Sequence, residues 1–457
     1  MNASPDSSNR NPQASLTWRV WLSYGLGHVI NDICASMWFT YLLVFFHLVL
    51  NFDPINAGTI LLIGQIADAV STPFVGIESD KNNGMWCFKY GKRKTWHLIG
   101  IICIICSFPF IFTPCIGCKG AHIYAQVIYY ASFVIIFQFG WAAVQISHLA
   151  LIPELTLNEN ERTQLTSIRY SFTVASTIFI YVVTWISLKS GDGYNSTTLI
   201  GPSDYFQFQR VVFIGLTIGL ITSIIFHLGV KENLIENTVI GDRPKKKILH
   251  FIRENKFYQV AIGYMCSRLL ANISQVYIPL YVHETLLKKP ENLAVVPLLM
   301  YLGSIAASTI VSSLNKNFGR KVSYVFGAAI GLSACLWIKF GVHGDIEIYP
   351  CAILLGISGS ILIVTSLGLT ADLIGFDTST GAFVYGAMSF FDKLSNGIIV
   401  MVIQYIKCGE CPNFYKDSIV YVCGGSAIIG VLAVVSIKSV MKRTDLSESL
   451  NETKPLL

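Results

Sequence analysis

Charge is what this sequence has least of. Only 13% of its 457 residues are Asp, Glu, Lys or Arg, while 53% are apolar; a soluble globular chain carries about a quarter charged residues. That balance excludes an ordinary soluble globule and predicts an integral membrane protein. A cleavable signal pattern is not expected in its first residues either. Met1–Ser15 is polar, so the first apolar run is expected to insert as its own signal anchor. No nucleophile and base stand at usable spacing on one helix or loop, which argues against an enzyme, and no cofactor is expected. The net charge of +6 does not mark a nucleic-acid binder. The Lys and Arg residues sit in short clusters between apolar runs, as orientation signals do.

What is present is a series of apolar runs, each near the ~20 residues that cross a bilayer. Six lie at Trp18–Leu50, Ile55–Ser79, Trp96–Phe112, Ile123–Ile152, Leu165–Leu188 and Phe208–Val230. Six more lie at Phe257–Val282, Leu293–Leu314, Val322–Val342, Ile348–Ile374, Gly381–Ile406 and Ile419–Val440. Between the sets runs the one long segment of sustained charge, with Lys245, Lys246 and Lys247. The expected fold is therefore an all-α membrane protein of twelve transmembrane helices in two six-helix halves. The expected organisation is a disordered N-terminus (1–16), a first half (17–230), a linker (231–255), a second half (256–440) and a tail (441–457). Lys and Arg crowd the loops after the second, sixth and eighth runs and are absent after the first, which puts both termini in the cytosol. Gly91-Lys92-Arg93-Lys94 has a counterpart in Asn315-Lys316-Asn317-Phe318-Gly319-Arg320-Lys321 at the matching loop, the mark of a duplicated half.

Polar side chains inside the spans carry the functional reading. Asp68 lies in an apolar run, where an ionised aspartate costs about 2.5–3.5 kcal/mol on insertion scales. It needs a partner, a proton or a cation. Helical spacing puts His28, Asn31 and Asp32 on one face, and likewise Gln65, Asp68 and Thr72; Gln145 and His148; Arg268, Asn272 and Gln275; Ser389, Lys393 and Asn396. Pro279 is expected to kink or break its helix. With acids mostly in the first half and bases in the second, Asp32 and Asp68 are expected to face Arg268 and Lys393 across a cavity for a zwitterion or polar neutral solute. Protonation of a carboxylate would then let the halves rock. Histidines such as His28 and His148 often only brace a neighbour. Asp80, Lys81, Gly91, Lys92, Arg93, Glu154, Arg162, Arg169, Gly319 and Arg320 are the expected cytosolic gate and latch.

The loops add processing signals. Cys115, Cys118, Cys408 and Cys411 form two C-x-x-C pairs on the non-cytosolic face, where disulfides can form either within or between the loops. No metal site is expected. Asn195-Ser196-Thr197 is an accessible glycosylation sequon. Glu452, Leu456 and Leu457 fit an acidic dileucine address, a docking signal for a sorting adaptor.

These residues resemble the major facilitator superfamily, and within it the glycoside-pentoside-hexuronide cation symporter branch, over Trp18 to Val440. Asp68-Ala69-Val70-Ser71-Thr72-Pro73, then Gly76, Asp80 and Gly91 to Lys94, resemble the branch's second-helix cation motif and the superfamily's loop motif. Lys393 falls where the branch places its eleventh-helix lysine. The run Tyr264 to Gln275 is closer to a vertebrate lysosomal and melanosomal member associated with moving cysteine into the organelle. The resemblance thus implies an amino-acid thiol as cargo and a lysosome-like membrane. Two departures matter. Thr72 stands where the branch has a second aspartate, and Gln145 where it has a fourth-helix acid, which weakens a sodium site and favours a proton. The alternatives are a sugar or lysolipid symporter of the plasma membrane, for which Trp38, Trp141 and Tyr277 could supply stacking faces, and a transporter-like receptor or scaffold with permanently paired charges.

Overall fold

The computed structural model describes residues 16–80, 90–118, 120–156, 159–190, 200–232, 253–341, 346–374, 381–407 and 411–437, and every regular element among them is helical. The long helices are α1 (Trp18–Val49), α2 (Pro54–Asp80), α3 (Lys92–Ile111), α4 (Ile123–Ala150), α5 (Glu159–Lys189), α6 (Tyr205–Gly229), α7 (Asn255–Leu280), α8 (Asn292–Phe318), α9 (Arg320–Phe340), α10 (Ile348–Ile374), α11 (Gly381–Tyr405) and α12 (Phe414–Ser436). Eleven are long and apolar enough to cross a membrane. The twelfth, α7, falls short because its middle holds Arg268, Asn272 and Gln275. Large apolar side chains such as Val70, Ile77, Phe213 and Leu432 lie more than half exposed along the helices, a surface suited to lipid and not to water. Helices overrun the apolar stretches at their polar ends. Thus α5 begins at Glu159, six residues before its apolar run, because hydropathy marks the membrane-crossing part and not the helix terminus.

Two compact units are distinguished. The first comprises Met1–Trp38, Val70–Gly191 and Pro202–Ile240; the second comprises Phe39–Ala69, Asp192–Gly201 and Gly241–Leu457. In the first, α3 and α4 touch through glycine: a Cβ on Gly100 would meet the Gly140 carbonyl oxygen at 2.7 Å, and one on Gly140 would meet that of Gly100 at 2.7 Å. Without a hydrophobic force between helices in lipid, such backbone contact is what holds them. In the second, Gly397 on α11 does the same against α2, since a Cβ there would meet Leu62 Cδ1 at 2.9 Å and Gln65 Cβ at 3.1 Å.

The ends of α1 and α7 repeat each other in detail. Each passes into a five-residue π turn, Phe45–Val49 and Tyr281–Thr285, with histidine at its third position. The closing bonds match: Leu50 N–H to Phe45 O (3.0 Å) and Phe52 N–H to Phe46 O (2.8 Å), against Leu286 N–H to Tyr281 O (3.1 Å) and Lys288 N–H to Val282 O (3.2 Å). Each turn is followed by a residue at positive φ, Asn51 (52°) and Leu287 (49°). Pro279 does not break α7, which runs through it to Leu280 before widening.

Lys81, Asn195, Cys408, Glu452, Leu456 and Leu457, with most of the linker and the whole tail, lie outside the described residues, as does the side chain of Asp80.

Candidate functional site

In the second unit, the close approach of α11 to α2 at Gly397 brings Lys393 to Asp68. Its Nζ lies 2.6 Å from Asp68 Oδ1, with the side chains 12% and 4% exposed. The preceding residue, Asp392, points about 100° further round α11 and meets α7: Arg268 Nε donates to Asp392 Oδ2 at 2.9 Å. One turn on, Asn396 Nδ2 donates to Asp392 Oδ1 at 2.7 Å and to the Asp392 carbonyl at 2.9 Å. Asp392 is buried whereas the Arg268 side chain is 31% exposed, so the guanidinium is anchored from behind. Asn272 is buried one turn beyond Arg268, and Gln275 Nε2 donates to Thr40 Oγ1 at 3.1 Å.

In the first unit, Asp32 is buried and bound on both oxygens. His28 Nδ1 lies 3.0 Å from Oδ1, and Thr173 Oγ1 donates to Oδ2 at 2.9 Å. Arg169 donates to His28 Nε2 at 2.9 Å. Arg has no acceptor, so His28 is neutral and gives its Nδ1 proton to Asp32. Asn31 Nδ2 donates to the Trp141 carbonyl at 2.9 Å. His148 Nε2 donates to the Tyr24 carbonyl at 2.8 Å, and Tyr24 Oη donates to the His148 carbonyl at 3.0 Å. Thr72 and Gln145 are half-buried.

These pairings correct the expected arrangement of Asp32 and Asp68 against Arg268 and Lys393. Lys393 does take Asp68, but Arg268 takes Asp392, an acid of the second half not singled out from the sequence although it stands three residues after Ser389 and four before Asn396. Asp32 takes its donors from His28 and Thr173. Arg169, expected at a gate, instead reaches His28. Arg162 Nε donates to the Thr156 carbonyl at 2.9 Å.

The loop motif is present in both halves. Gly91 (φ 118°) and Gly319 (φ 81°) each precede a helix in a conformation that favours glycine. After Gly91, Arg93 Nε donates to Glu154 Oε1 at 3.0 Å and its Nη1 to Ser79 Oγ at 2.6 Å. The Glu232 carboxylate accepts the backbone N–H groups of Lys92, Arg93 and Lys94 at 2.9–3.1 Å, an anion on a helix N-terminus. Lys94 Nζ donates to the carbonyls of His227 and Val230 at the end of α6. After Gly319, Arg320 pairs with Asp372 at 2.7 Å, and Lys321 donates to the carbonyls of Val435 and Ile437 at the end of α12. Asn315, where the repeat lacks an acid, accepts from Thr365 at 3.1 Å. Burial raises the Glu154 carboxyl above the usual range, opposed by Arg93.

Cys115 and Cys118 are bonded to each other, so at this loop the bridge lies within the C-x-x-C pair. Cys411 is also disulfide-bonded. No cluster of metal-ligating side chains occurs among the described residues.

Oppositely charged side chains buried in membrane-length helices, with every regular element among the described residues helical, are the arrangement of a multi-pass membrane transporter. A family profile described as "MFS/sugar transport protein" matches residues 23–406. The chain belongs to the major facilitator superfamily. It is 39% identical over 463 residues to major facilitator superfamily domain-containing protein 12 of Mus musculus, across 96% of this chain and 97% of the relative. To the Homo sapiens protein of the same name it is 40% identical over 443 residues, across 91% and 92%. Among solved structures, a D-xylose-proton symporter superposes with a TM-score of 0.71 at 13% identity, across 94% of this chain and 99% of that one, a likeness of fold alone.

Proposed function

We propose that the protein is a secondary active transporter that moves a small polar organic solute, cysteine or a related amino acid, into lysosome-like organelles by proton-linked alternating access. The observation that carries this is the buried Asp68–Lys393 pair at 2.6 Å. Protonating Asp68 opens the pair without leaving an ionised acid in the membrane, and so ties a proton to a rearrangement. Arg268, fixed by Asp392 and Asn396 yet 31% exposed, suits the carboxylate of an amino acid. A cargo ammonium is served by Asp68 when Lys393 moves aside. Thr72 in place of a second acid leaves too few hard oxygen ligands for sodium. Both termini are cytosolic in this scheme, Asn195 is glycosylated, and Glu452, Leu456 and Leu457 direct the protein to the organelle through a sorting adaptor.

The sugar alternative asks for exposed aromatic faces. Tyr277 is fully buried, with its hydroxyl bonded to Gln404 at 3.0 Å, and Trp38 is buried against Phe137. Uptake of labelled cysteine by the purified protein in liposomes, with and without a pH gradient, tests the proposal. Flux that ignores the gradient removes the proton link. No flux of any amino acid or sugar leaves a receptor or scaffold.

A further inference from the structure

Four of the nine histidines gather in the first unit on four helices: His28 (α1), His97 (α3), His148 (α4) and His227 (α6). His28, His97 and His148 are buried. Their bonds fix a direction. Tyr90 Oη lies 2.8 Å from His227 Nδ1, His227 Nε2 lies 3.1 Å from His97 Nδ1, and His97 Nε2 lies 3.0 Å from the Gly27 carbonyl. A carbonyl only accepts, so His97 carries its proton on Nε2 and takes a hydrogen bond from His227 at Nδ1. His227 Nδ1 therefore accepts from the Tyr90 hydroxyl. The string runs from Tyr90, 44% exposed, to the carbonyl beside His28. Next to it His148 lies with ring centroids 6.0 Å from His97 and 5.6 Å from His28, and its Nδ1 is buried with no hydrogen-bond partner.

We propose that His227, His97 and His148 form a proton relay from the Tyr90 surface to the His28–Asp32 pair, with the unpartnered Nδ1 of His148 as the intermediate carrier. The inference rests on the proton-linked reading above. A proton from water enters His227 at Nδ1 as the Nε2 proton passes to His97 Nδ1. His97 releases its own Nε2 proton from the Gly27 carbonyl to His148 Nδ1. From there it goes to His28 Nε2, displacing Arg169. One proton leaves the water and one arrives, and the pair changes from neutral imidazole with carboxylate to imidazolium with carboxylate. The charged and titratable groups facing this path are Asp32 on α1 and Arg169 on α5, with Tyr24 on α1 stacked on His148. At the entrance stand Lys94, over the Tyr90 ring at 4.4 Å, and Glu232 on its backbone. A positive His28 repels Arg169, so arrival of the proton is converted into movement of α5.

The test uses the full chain in liposomes with labelled cysteine, in wild type, His97→Gln and the more surface-lying His227→Asn. Exchange at equal cysteine and pH is compared with accumulation driven by a pH gradient, and solid-state NMR of 15N-histidine follows His28 on acidification. A relay lowers gradient-driven accumulation by about tenfold or more, keeps exchange within about twofold of wild type, and suppresses the protonation of His28. Equal loss of both fluxes in both variants, or no loss of gradient-driven flux in either, overturns it in favour of a structural brace. Wild-type protein whose His28 takes up the proton through His97 but shows no gradient-driven flux refutes the transport proposal and upholds the relay. No protonation of His28 in wild type refutes the relay.

Discussion

Breaking the Asp68–Lys393 pair from each side in turn separates its structural role from its transport role. At 2.6 Å and an effective dielectric constant of about 20, the two charges attract by about 6 kcal/mol. Withdrawing two ions from water costs several kcal/mol each, so the intact pair contributes little net stability. Removing one partner strands the other, at about 3–5 kcal/mol. Asp68→Asn and Lys393→Met should therefore each lower the thermal midpoint of the detergent-solubilised protein. The double variant Asp68→Asn/Lys393→Met should recover most of the loss, because no charge is left unpaired. Transport should not follow stability: all three variants should lose gradient-driven cysteine uptake in liposomes. A double variant as unstable as the two single losses added together would show that the residues do not act on each other. A stable Lys393→Met protein with wild-type uptake would refute the coupling role.

Asp392→Asn should weaken the hold on both Arg268 and Asn396 and raise the KM for cargo at least about tenfold, a loss of about 1.4 kcal/mol in binding, read from concentration-dependent uptake. Gly319→Ala should cost about 1–3 kcal/mol of backbone strain, because φ 81° with ψ 157° is a glycine conformation, while the added Cβ itself meets nothing within 4 Å. Gly91→Ala should cost more in the same melting assay, because its Cβ would also collide with the Glu232 carboxylate. Glu232→Ala should lose a helix cap worth about 0.5–2 kcal/mol. Since burial raises Glu154 above the usual glutamate range, the folded chain holds that proton more tightly than the unfolded chain. Its contribution to stability therefore increases as pH falls from above the folded value toward the ordinary one, and Glu154→Gln should flatten that part of a pH–melting curve.

The number of long helices and their membrane-crossing middles were legible in the sequence because the bilayer requires about 20 apolar residues per crossing, and that demand is written in composition. Asp68 and Lys393 were legible for the converse reason, as costly exceptions. The choice of partner was not. Helical spacing says which residues share a face but not which helix that face meets, so Asp392 and Lys393, neighbours in sequence, divide between α7 and α2. His97 and His227 stand at the ends of two different apolar runs, far apart in sequence, and only the packing of α3 on α6 joins them. Glu232 lay in a segment read as linker, yet its carboxylate reaches back 140 residues to Lys92.

Each of the paired π turns is one residue more than an α-helix needs, and an inserted residue rotates everything after it relative to everything before. Both turns put a histidine third and are followed two residues later by a residue at positive φ, so α1 and α7 apply the same extra rotation at the same point and send the chain out of the helix in the same local geometry.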